Sequence, residues 1–581
     1  MSANDTYRLY VSREDAASDG GHHEELFQVL DFLAGHGASA AEQRAALEPL
    51  FRRFRHGLRV GEPDSQVRDQ LQELLTQRIA RTERVGVDSE GDASDVVHRA
   101  SIRSDDLATF RDLAQCFTSY DRAYALPYWA SIPLPVQTMG PGYKAWRRGS
   151  PLLSTVGPSW QGEHYRALQG PAPWPHAGIR TVLDDILPPR RLALPWVRPS
   201  RPWWSLRRAW KDINAEAPAK LLVFSRFRAV PAAVSAVLSF EAERLAFNSE
   251  TSPESVRLLR RERRYVPKRQ SQKMLAYFWP SPTLARVAVE APSPREARRR
   301  AEATIRRQLR GQGIAVRGEE SRGSAWKVLA WLDRKHLHHW DALTGDEEWL
   351  PRLVADWRAV GKPGQVSRTT LRWLARIAAA APGVVVARSL SKRHPGVLGR
   401  DFPALLDLSW RVLRTYLDDS TIRRGMQRAT RTDKAPESLL RSVLDGNLEA
   451  ALDEHLWILE RCGHARGRGL ITAIRRALDL HAGAARIHES DRSGAFQVAC
   501  RAAMPFTDAR ELAPKDGAPR AFRPEQLREA FNSPFWPHVL VTTSVGQEGL
   551  DFHLWCRDLL HWDLPSTAVD LEQRVSSDTR N

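Results

Sequence analysis

The 581-residue sequence has little of several features that mark common protein classes. It holds four cysteines, which lie far apart with no CxxC pair; this argues against a disulfide framework and against a structural zinc site. No stretch approaches 18 uninterrupted apolar residues, and the start lacks a basic region followed by an apolar core. We therefore expect no export signal, no membrane span and a cytoplasmic location.

Lysine is also scarce, because 75 of the 86 basic residues are arginines. Against 69 acidic residues this leaves a formal net charge of +17 and a pI near 10.1. Such a charge favours a polyanionic partner, nucleic acid first, through release of counterions from a phosphate backbone. A GC-rich genome would also favour arginine codons, so charge alone leaves the partner open.

Local composition and the spacing of apolar residues divide the chain into four regions. Residues 1–126 show helical spacing of apolar residues, and residues 127–218 crowd prolines and tryptophans into an irregular connector whose indoles we expect to pack on a neighbouring domain. Residues 219–245 and 495–581 read as one α/β lobe, split by a basic helical insertion over 246–494. The expected fold class is therefore α/β: a parallel-sheet lobe with a large helical insertion, preceded by a helical and Pro/Trp-rich region.

The lobe opens with a short βα unit. Residues 220–224 are an apolar run that predicts a buried parallel strand, and residues 231–244 predict the helix that follows. Strand character returns at residues 497–500. Ser225 and Arg226 follow the first strand, at the carboxyl end where α/β sheets bind ligands.

A second segment, residues 539–552, reads VLVTTSVGQEGLDF. Its start predicts another buried strand, and residues 561–565 predict the next one. Between them lie hydroxyl groups, glycines that let backbone amides approach a phosphate or ribose, and a carboxylate that can accept from a ribose hydroxyl. These residues are Thr542, Thr543, Ser544, Gly546, Gly549 and Asp551.

Together the two segments resemble the second RecA-like lobe of superfamily 2 nucleic-acid helicases, close to the Swi/Snf and RapA-like branch, in which a strand ending in Phe-Ser-Arg or Phe-Ser-Gln opens the lobe. The resemblance implies an ATP-dependent helicase or translocase acting on nucleic acid, with ATP and Mg²⁺ as cofactors once a first lobe is present. DNA is favoured over RNA as the partner, and the sequence leaves that choice open. It implies nucleic-acid contacts by Ser225, Arg226, Thr542, Thr543 and Ser544. It implies nucleotide contacts by Gly546, Gly549 and Asp551.

The family's arginine-finger motif, Gln-Arg-x-Gly-Arg-x-x-Arg, has an incomplete counterpart. By the resemblance, Gln573, Arg574 and Arg580 are the catalytic candidates, because such arginines stabilise charge that develops in phosphoryl transfer. Ser576 replaces the glycine and Ser577 replaces the first finger arginine. A neutral hydroxyl cannot supply the missing bidentate charge, so we interpret the motif as truncated.

The phosphate loop of a first motor lobe, Gly-x4-Gly-Lys-Ser/Thr, does not occur in the sequence. The nearest match is Gly361-Lys362, which aligns with the second glycine and the lysine of the motif. Asp356 then stands at the position of the first glycine. The acidic runs 346–348 and 453–455 follow no apolar strand, so we interpret them as solvated helix faces. Residues 81–84 resemble the segment that closes a first lobe, which makes 1–126 its tail and implies a separate chain that supplies the rest.

Two further clusters carry weaker signals. His336, His338 and His339 alternate with apolar residues and have no second ligand group nearby in sequence, so we predict no metal site. Residues 461–469 form a basic, glycine-rich segment that is interpreted as a solvent loop, with phosphate contact left open.

Two functions from different classes follow. The first is the C-terminal part of a superfamily 2 helicase or translocase, inactive alone as an ATPase. The second is a non-catalytic protein that binds nucleic acid or a partner through a degenerate lobe and its basic insertion. A remnant of a disrupted gene, with residues 575–581 out of frame, is a third explanation.

Overall fold

The computed structural model describes most of the chain outside its two ends. The described residues are 27, 30–31, 38–60, 64–76, 97–117, 122, 125–139, 143, 156–157, 159–171, 173–213, 219–247, 252–262, 265, 272–319, 325–343, 349–479, 483–489, 494–506, 524–543, 552 and 554–564. They fall into two compact units, one within Met1–Arg99 and Leu564–Ser576 and one within Ala100–Asp563 and Ser577–Asn581.

In the first unit, the helices Ala38–Val60 and Ser65–Thr76 pack against each other. Their buried apolar side chains sit at helical spacing and form a small core of their own. This agrees with the helical spacing expected here. Residues 81–84, which resemble the end of a first motor lobe, lie outside the described residues.

Helix makes up 62% of the structure as a whole, and the second unit is mixed α/β. Its α-helices are Ser104–Gln115, Ala125–Ser131, Pro135–Met139, Gly162–Arg166, Ala177–Thr181, Pro189–Leu192, Ala229–Phe247, Pro253–Arg261, Gln272–Phe278, Pro282–Ala285, Pro294–Gly311, Ala325–Leu332, Leu350–Arg358, Arg368–Ala380, Pro382–Ser391, Phe402–Asp407, Arg414–Leu417, Ser420–Thr430, Ala435–Asp445, Leu448–Arg461, Arg468–Leu478 and Pro524–Phe531. Its strands are β1 Leu221–Phe224, β2 Ala315–Val316, β3 Gln365–Val366, β4 Gly483–His488, β5 Ala495–Cys500, β6 Ala503–Phe506, β7 Val539–Thr542 and β8 Asp558–His561.

Four of these strands form one parallel sheet in the order β6-β7-β1-β8. Alternate residues point to opposite faces. Val223 and Val541 face the core that includes the helix Ala229–Phe247, while Phe224 and Leu540 face a second core shared with Pro524–Phe531. A sheet covered on both faces explains why its strands read as continuous apolar runs rather than as an alternating pattern.

The helical region between β1 and β6 is not purely helical. β2 and β3 form a short parallel pair, and β4 and β5 form an antiparallel hairpin. The hairpin crosses residue 494, where the sequence suggested the insertion would end. β4 alternates buried and exposed residues over only six positions, too short a pattern to be distinguished from the end of the preceding helix.

One strand was placed too late along the chain. The sequence predicted residues 561–565, whereas β8 is Asp558–His561, so the prediction of the exact bounds was wrong. The backbone N–H of Trp562 still donates to the carbonyl of Phe224 in β1, but the indole of Trp562 and the carboxylate of Asp563 bond to partners outside the sheet. Those contacts lie far away in sequence and left no local signal.

The connector between residues 127 and 218 packs through its indoles. Trp196 and Trp210 are fully buried and stack on each other with ring centroids 5.3 Å apart. The indole of Trp196 donates to the carbonyl of Gly446, and that of Trp204 donates to the carbonyl of Leu444. These indoles therefore attach the connector to the helical region and are not available as a base-stacking surface.

Candidate nucleic-acid interface at the strand ends

The carboxyl ends of β1, β7 and β8 meet at one edge of the sheet. β1 lies between the other two strands, so that Phe224 pairs with Thr542 on one side and with His561 on the other. Parallel strands place the residues that follow them at the same edge. Ser225 and Arg226 therefore lie beside Thr542 and Thr543, although more than 300 residues separate them in sequence.

Ser225 is fully buried, and its hydroxyl is already engaged. The hydroxyl donates to the carboxylate of Asp563, and its oxygen accepts the backbone N–H of Phe227 at 3.1 Å. Asp563 also accepts the backbone N–H of Arg226 at 3.0 Å. Ser225 thus joins β1 to the end of β8 and shapes the loop that presents Arg226.

Arg226 is the cation that this loop exposes. Its side chain is 52% exposed, with Nε 3.7 Å from a carboxylate oxygen of Asp563. The guanidinium carbon lies 5.1 Å from the ring centroid of Phe227. A guanidinium held from one side by an aromatic ring and a carboxylate keeps N–H donors free for a phosphate, whose two oxygens match its planar geometry.

The two threonines differ in availability. Thr542 is fully buried, and its hydroxyl donates to the carbonyl of Thr543 at 3.1 Å. Its own carbonyl accepts the backbone N–H of Ser225 at 3.0 Å. Thr543 is only partly buried, so of the two it is the threonine that can offer a hydroxyl to a ligand.

Seven other predicted site residues lie outside the described residues. They are Ser544, Gly546, Gly549, Asp551, Gln573, Arg574 and Arg580. The proposed nucleotide contacts and the arginine-finger candidates therefore stay predictions.

Sequence reasoning assigned no role to Asp563, although it lies within the segment predicted as a strand. Its neighbour Trp562 stacks on His176 at 5.3 Å between ring centroids and donates from its indole to the carbonyl of Ser131. Burial lowers the pKa of His176 to about 4. The connector thus packs on one side of the strand-end surface. An acidic residue just past a strand was the only signal, and it is a common one.

At the opposite edge of the sheet, Lys220 precedes β1 and is fully buried. Its ammonium donates to the carbonyls of Ala530 and Phe535. Burial moves the pKa of Lys220 well below its usual range. Because Lys220 is enclosed by protein groups at the amino ends of the strands, we assign it to packing and not to the candidate interface.

The described residues hold no group of three or more His, Cys, Asp or Glu side chains arranged to bind a metal. His338 and His339 do lie close together, with ring centroids 3.9 Å apart. Burial and the neighbouring imidazoles of His338 and His336 lower the pKa of His339. The four cysteines are free thiols, of which only Cys462 is exposed.

No family model, curated protein or solved structure matches this chain. Fold and site together define an α/β protein with a parallel four-stranded sheet and polar groups at its strand ends. In the part of the chain that is described, no single helix is long and apolar enough to span a membrane. One pair, Arg368–Ala380 with Pro382–Ser391, passes by length and composition but is bent by 57°.

Proposed function

We propose that this chain supplies the second motor lobe of a superfamily 2 type helicase or translocase, and that its strand-end surface holds a nucleic-acid backbone. One observation carries the proposal. The two segments that resemble the family's motifs lie on adjacent parallel strands, with Val223 opposite Val541 and Phe224 opposite Thr542. Unrelated local matches would have no reason to meet side by side across more than 300 residues.

The roles of Ser225, Arg226, Thr542 and Thr543 follow from their exposure, and those of Ser544, Gly546, Gly549 and Asp551 follow from the resemblance alone. Arg226 contacts a phosphate, and Thr543 with Ser544 donates hydroxyls to the same backbone. Ser225 and Thr542 are positioning residues, because their hydroxyls are bonded inside the protein. Gly546, Gly549 and Asp551 face the nucleotide. ATP and Mg²⁺ act only when a first lobe with its phosphate loop is present.

Nucleic-acid binding is tested by fluorescence anisotropy with the full chain and labelled duplex DNA, single-stranded DNA and RNA, over about 50 to 200 mM salt. We expect affinity to fall linearly on logarithmic axes as salt rises. Loss of one phosphate contact in Arg226→Ala should lower that slope by about 0.9 on duplex DNA. Arg226→Lys should keep the slope, because it keeps the charge.

The matched control is Arg68→Ala in the other compact unit, where the arginine is 61% exposed and lies 2.8 Å from Asp69. This control should leave the slope unchanged. Absence of binding at low salt would remove the proposal. A slope that Arg226→Ala does not alter would move the interface away from the strand ends.

The second candidate is a non-catalytic nucleic-acid-binding protein. Ser577 favours it, because this serine stands where the family places the first finger arginine. Displacement of a fluorescent ATP analogue distinguishes the two. The motor lobe should bind nucleotide and lose that binding in Asp551→Ala, whereas the non-catalytic protein should bind DNA with the same affinity with or without nucleotide.

A further inference from the structure

Many of the described arginines in the helical region pair with acidic partners. Arg388 forms a buried bidentate pair with Glu449 at 2.7 and 2.8 Å. Arg306 pairs with Glu302 at 3.0 Å. These acidic partners offset part of the positive charge of the region. Arginines that have no acidic partner remain available to an external anion.

One cluster of arginines surrounds Arg298, on the helix Pro294–Gly311. Burial and the neighbouring charges of Arg376, Arg207 and Arg295 lower the pKa of Arg298, and they outweigh Glu437, which raises it. These side chains come from three separate segments that tertiary packing brings together. Like charges at close range repel unless an anion lies between them.

The acids near this group are few and already shared. Glu437 accepts from both Arg376 and Arg441, the latter at 2.7 Å. Asp445 accepts from the side chain of Arg208, while its backbone carbonyl accepts the N–H of Arg207. Arg207 therefore stands beside an acid that is paired with its neighbour, and its own side chain is exposed.

The second group lines a cavity of about 260 Å³. Arg190, Arg428 and Arg431 line it together with Arg208, over apolar residues that include Ala193, Leu245 and Ala429. Asp212 is the one acid in the lining. Arg208, which borders the cavity, is adjacent in the chain to Arg207 of the first group.

We propose that these arginines bind the phosphate backbone of a nucleic acid, as a second contact surface apart from the strand ends. The set, hereafter the arginine track, comprises Arg190, Arg207, Arg295, Arg298, Arg428 and Arg431. All six side chains are exposed. The choice of nucleic acid as the partner rests on the proposed function, whereas the location of the arginine track does not.

A repeating polyanion fits this surface better than a single small anion does. Six exposed cations from four segments of the chain are too many for one phosphate, whereas each fits one phosphate of a backbone and releases a counterion on binding. The tryptophans of the neighbouring connector, Trp204 and Trp210, are buried. Trp203, beside them, is partly buried and lies under Lys392. Because the described cations are arginines and these rings are covered, the expected contact is to phosphate and is independent of base sequence.

The test compares two triple variants of the full chain in the same salt titration. The track variant is Arg207→Gln/Arg298→Gln/Arg428→Gln, and the control is Arg68→Gln/Arg257→Gln/Arg352→Gln, which removes the same charge from exposed arginines off the track. We expect the track variant to lower the salt slope on duplex DNA by about 2 to 3. The control should lower it by less than about 0.5.

Arginine modification by phenylglyoxal, mapped by mass spectrometry with and without DNA, gives a second readout on the unmutated protein. Protection of Arg207, Arg298 and Arg428 supports the track, and equal modification overturns it. Equal slopes for the two triple variants also overturn it. If polyglutamate of matched charge competes as well as DNA does, the nucleic-acid assignment is wrong.

The strand ends are separable from the track. If Arg226→Ala lowers the salt slope while the track variant does not, the proposed function stands and the track is refuted. If the track variant lowers the slope and Arg226→Ala does not, the track stands and the strand-end interface is refuted.

Discussion

Asp563 holds the loop after β1 in place, which makes its removal an informative perturbation. Its carboxylate accepts the hydroxyl of Ser225 and the backbone N–H of Arg226, and its side chain is only 9% exposed. In Asp563→Ala both donors lose their acceptor. The loop should then open more often, while the strands themselves remain buried.

The cost follows from where the two donors lie. A hydrogen bond to a charged group contributes about 1.5–3 kcal/mol. The Ser225 hydroxyl is fully buried, so its loss counts in full, whereas Arg226 lies at the surface where water replaces the lost acceptor. We therefore expect a total near the cost of one such bond, about 2–3 kcal/mol.

Hydrogen exchange followed by mass spectrometry measures this locally, in peptides that cover residues 221–230. A cost of about 2–3 kcal/mol corresponds to amide exchange about 30- to 150-fold faster at Arg226 and Phe227, provided these amides exchange through local opening. Peptides from the helix Pro294–Gly311 serve as the internal control. Their exchange should not change.

A double-mutant cycle with Ser225→Ala tests the partnership itself. If the two side chains act together, the double variant should cost less than the sum of the single variants by at least about 1 kcal/mol. Wild-type exchange in Asp563→Ala would refute the reasoning. So would strictly additive effects, because they would mean that Ser225 and Asp563 do not share one bond.

Two further predictions concern stability. Gly425→Ala should lower the melting temperature, because an added Cβ would lie 2.3 Å from the backbone oxygen of Ala193. The overpacking cost of about 1–3 kcal/mol exceeds the helix-propensity gain of about 1 kcal/mol. In the control Gly311→Ala the added Cβ meets nothing within 4 Å, so the melting temperature should not fall, and equal effects of the two substitutions would contradict the prediction. Burial lowers the pKa of both His455 and His538 to about 3, so the stability they contribute is present above the unfolded pKa of about 6.5 and is lost as pH falls toward 3, by about 4 kcal/mol together at pH 5. Thermal unfolding across pH 7 to 4 checks it, with a shallower decline expected in His455→Gln/His538→Gln and a flat wild-type profile as the contrary result.

The elements most accessible to prediction were those with a strong local signal. The apolar run before Ser225 became β1, and the run before Thr543 became β7. The helix predicted at 231–244 is Ala229–Phe247, because a buried helix that follows a strand is apolar nearly all round. The parallel pairing of these strands agrees with the fold class expected from the sequence.

The chemistry of the site was only partly predictable. The motif resemblance grouped Ser225 with Arg226 as equal candidates, yet one is fully buried and the other is half exposed. The difference arises because Asp563 lies at the end of the neighbouring strand and accepts the serine hydroxyl. A sequence pattern records which donors are present, and it does not record which of them the fold has already satisfied.

The sequence by itself determined the composition, the apolar runs and the excess of arginine, since each is a property of residues close together in the chain. Only the tertiary structure decided which polar groups stay available to a partner. Arg388 and Arg298 are the same type of residue, and both lie on helices. In the folded protein Arg388 pairs with the buried Glu449, whereas Arg298 lies among other arginines. Pairing of charges depends on distances between segments tens to hundreds of residues apart, and folding alone sets those distances.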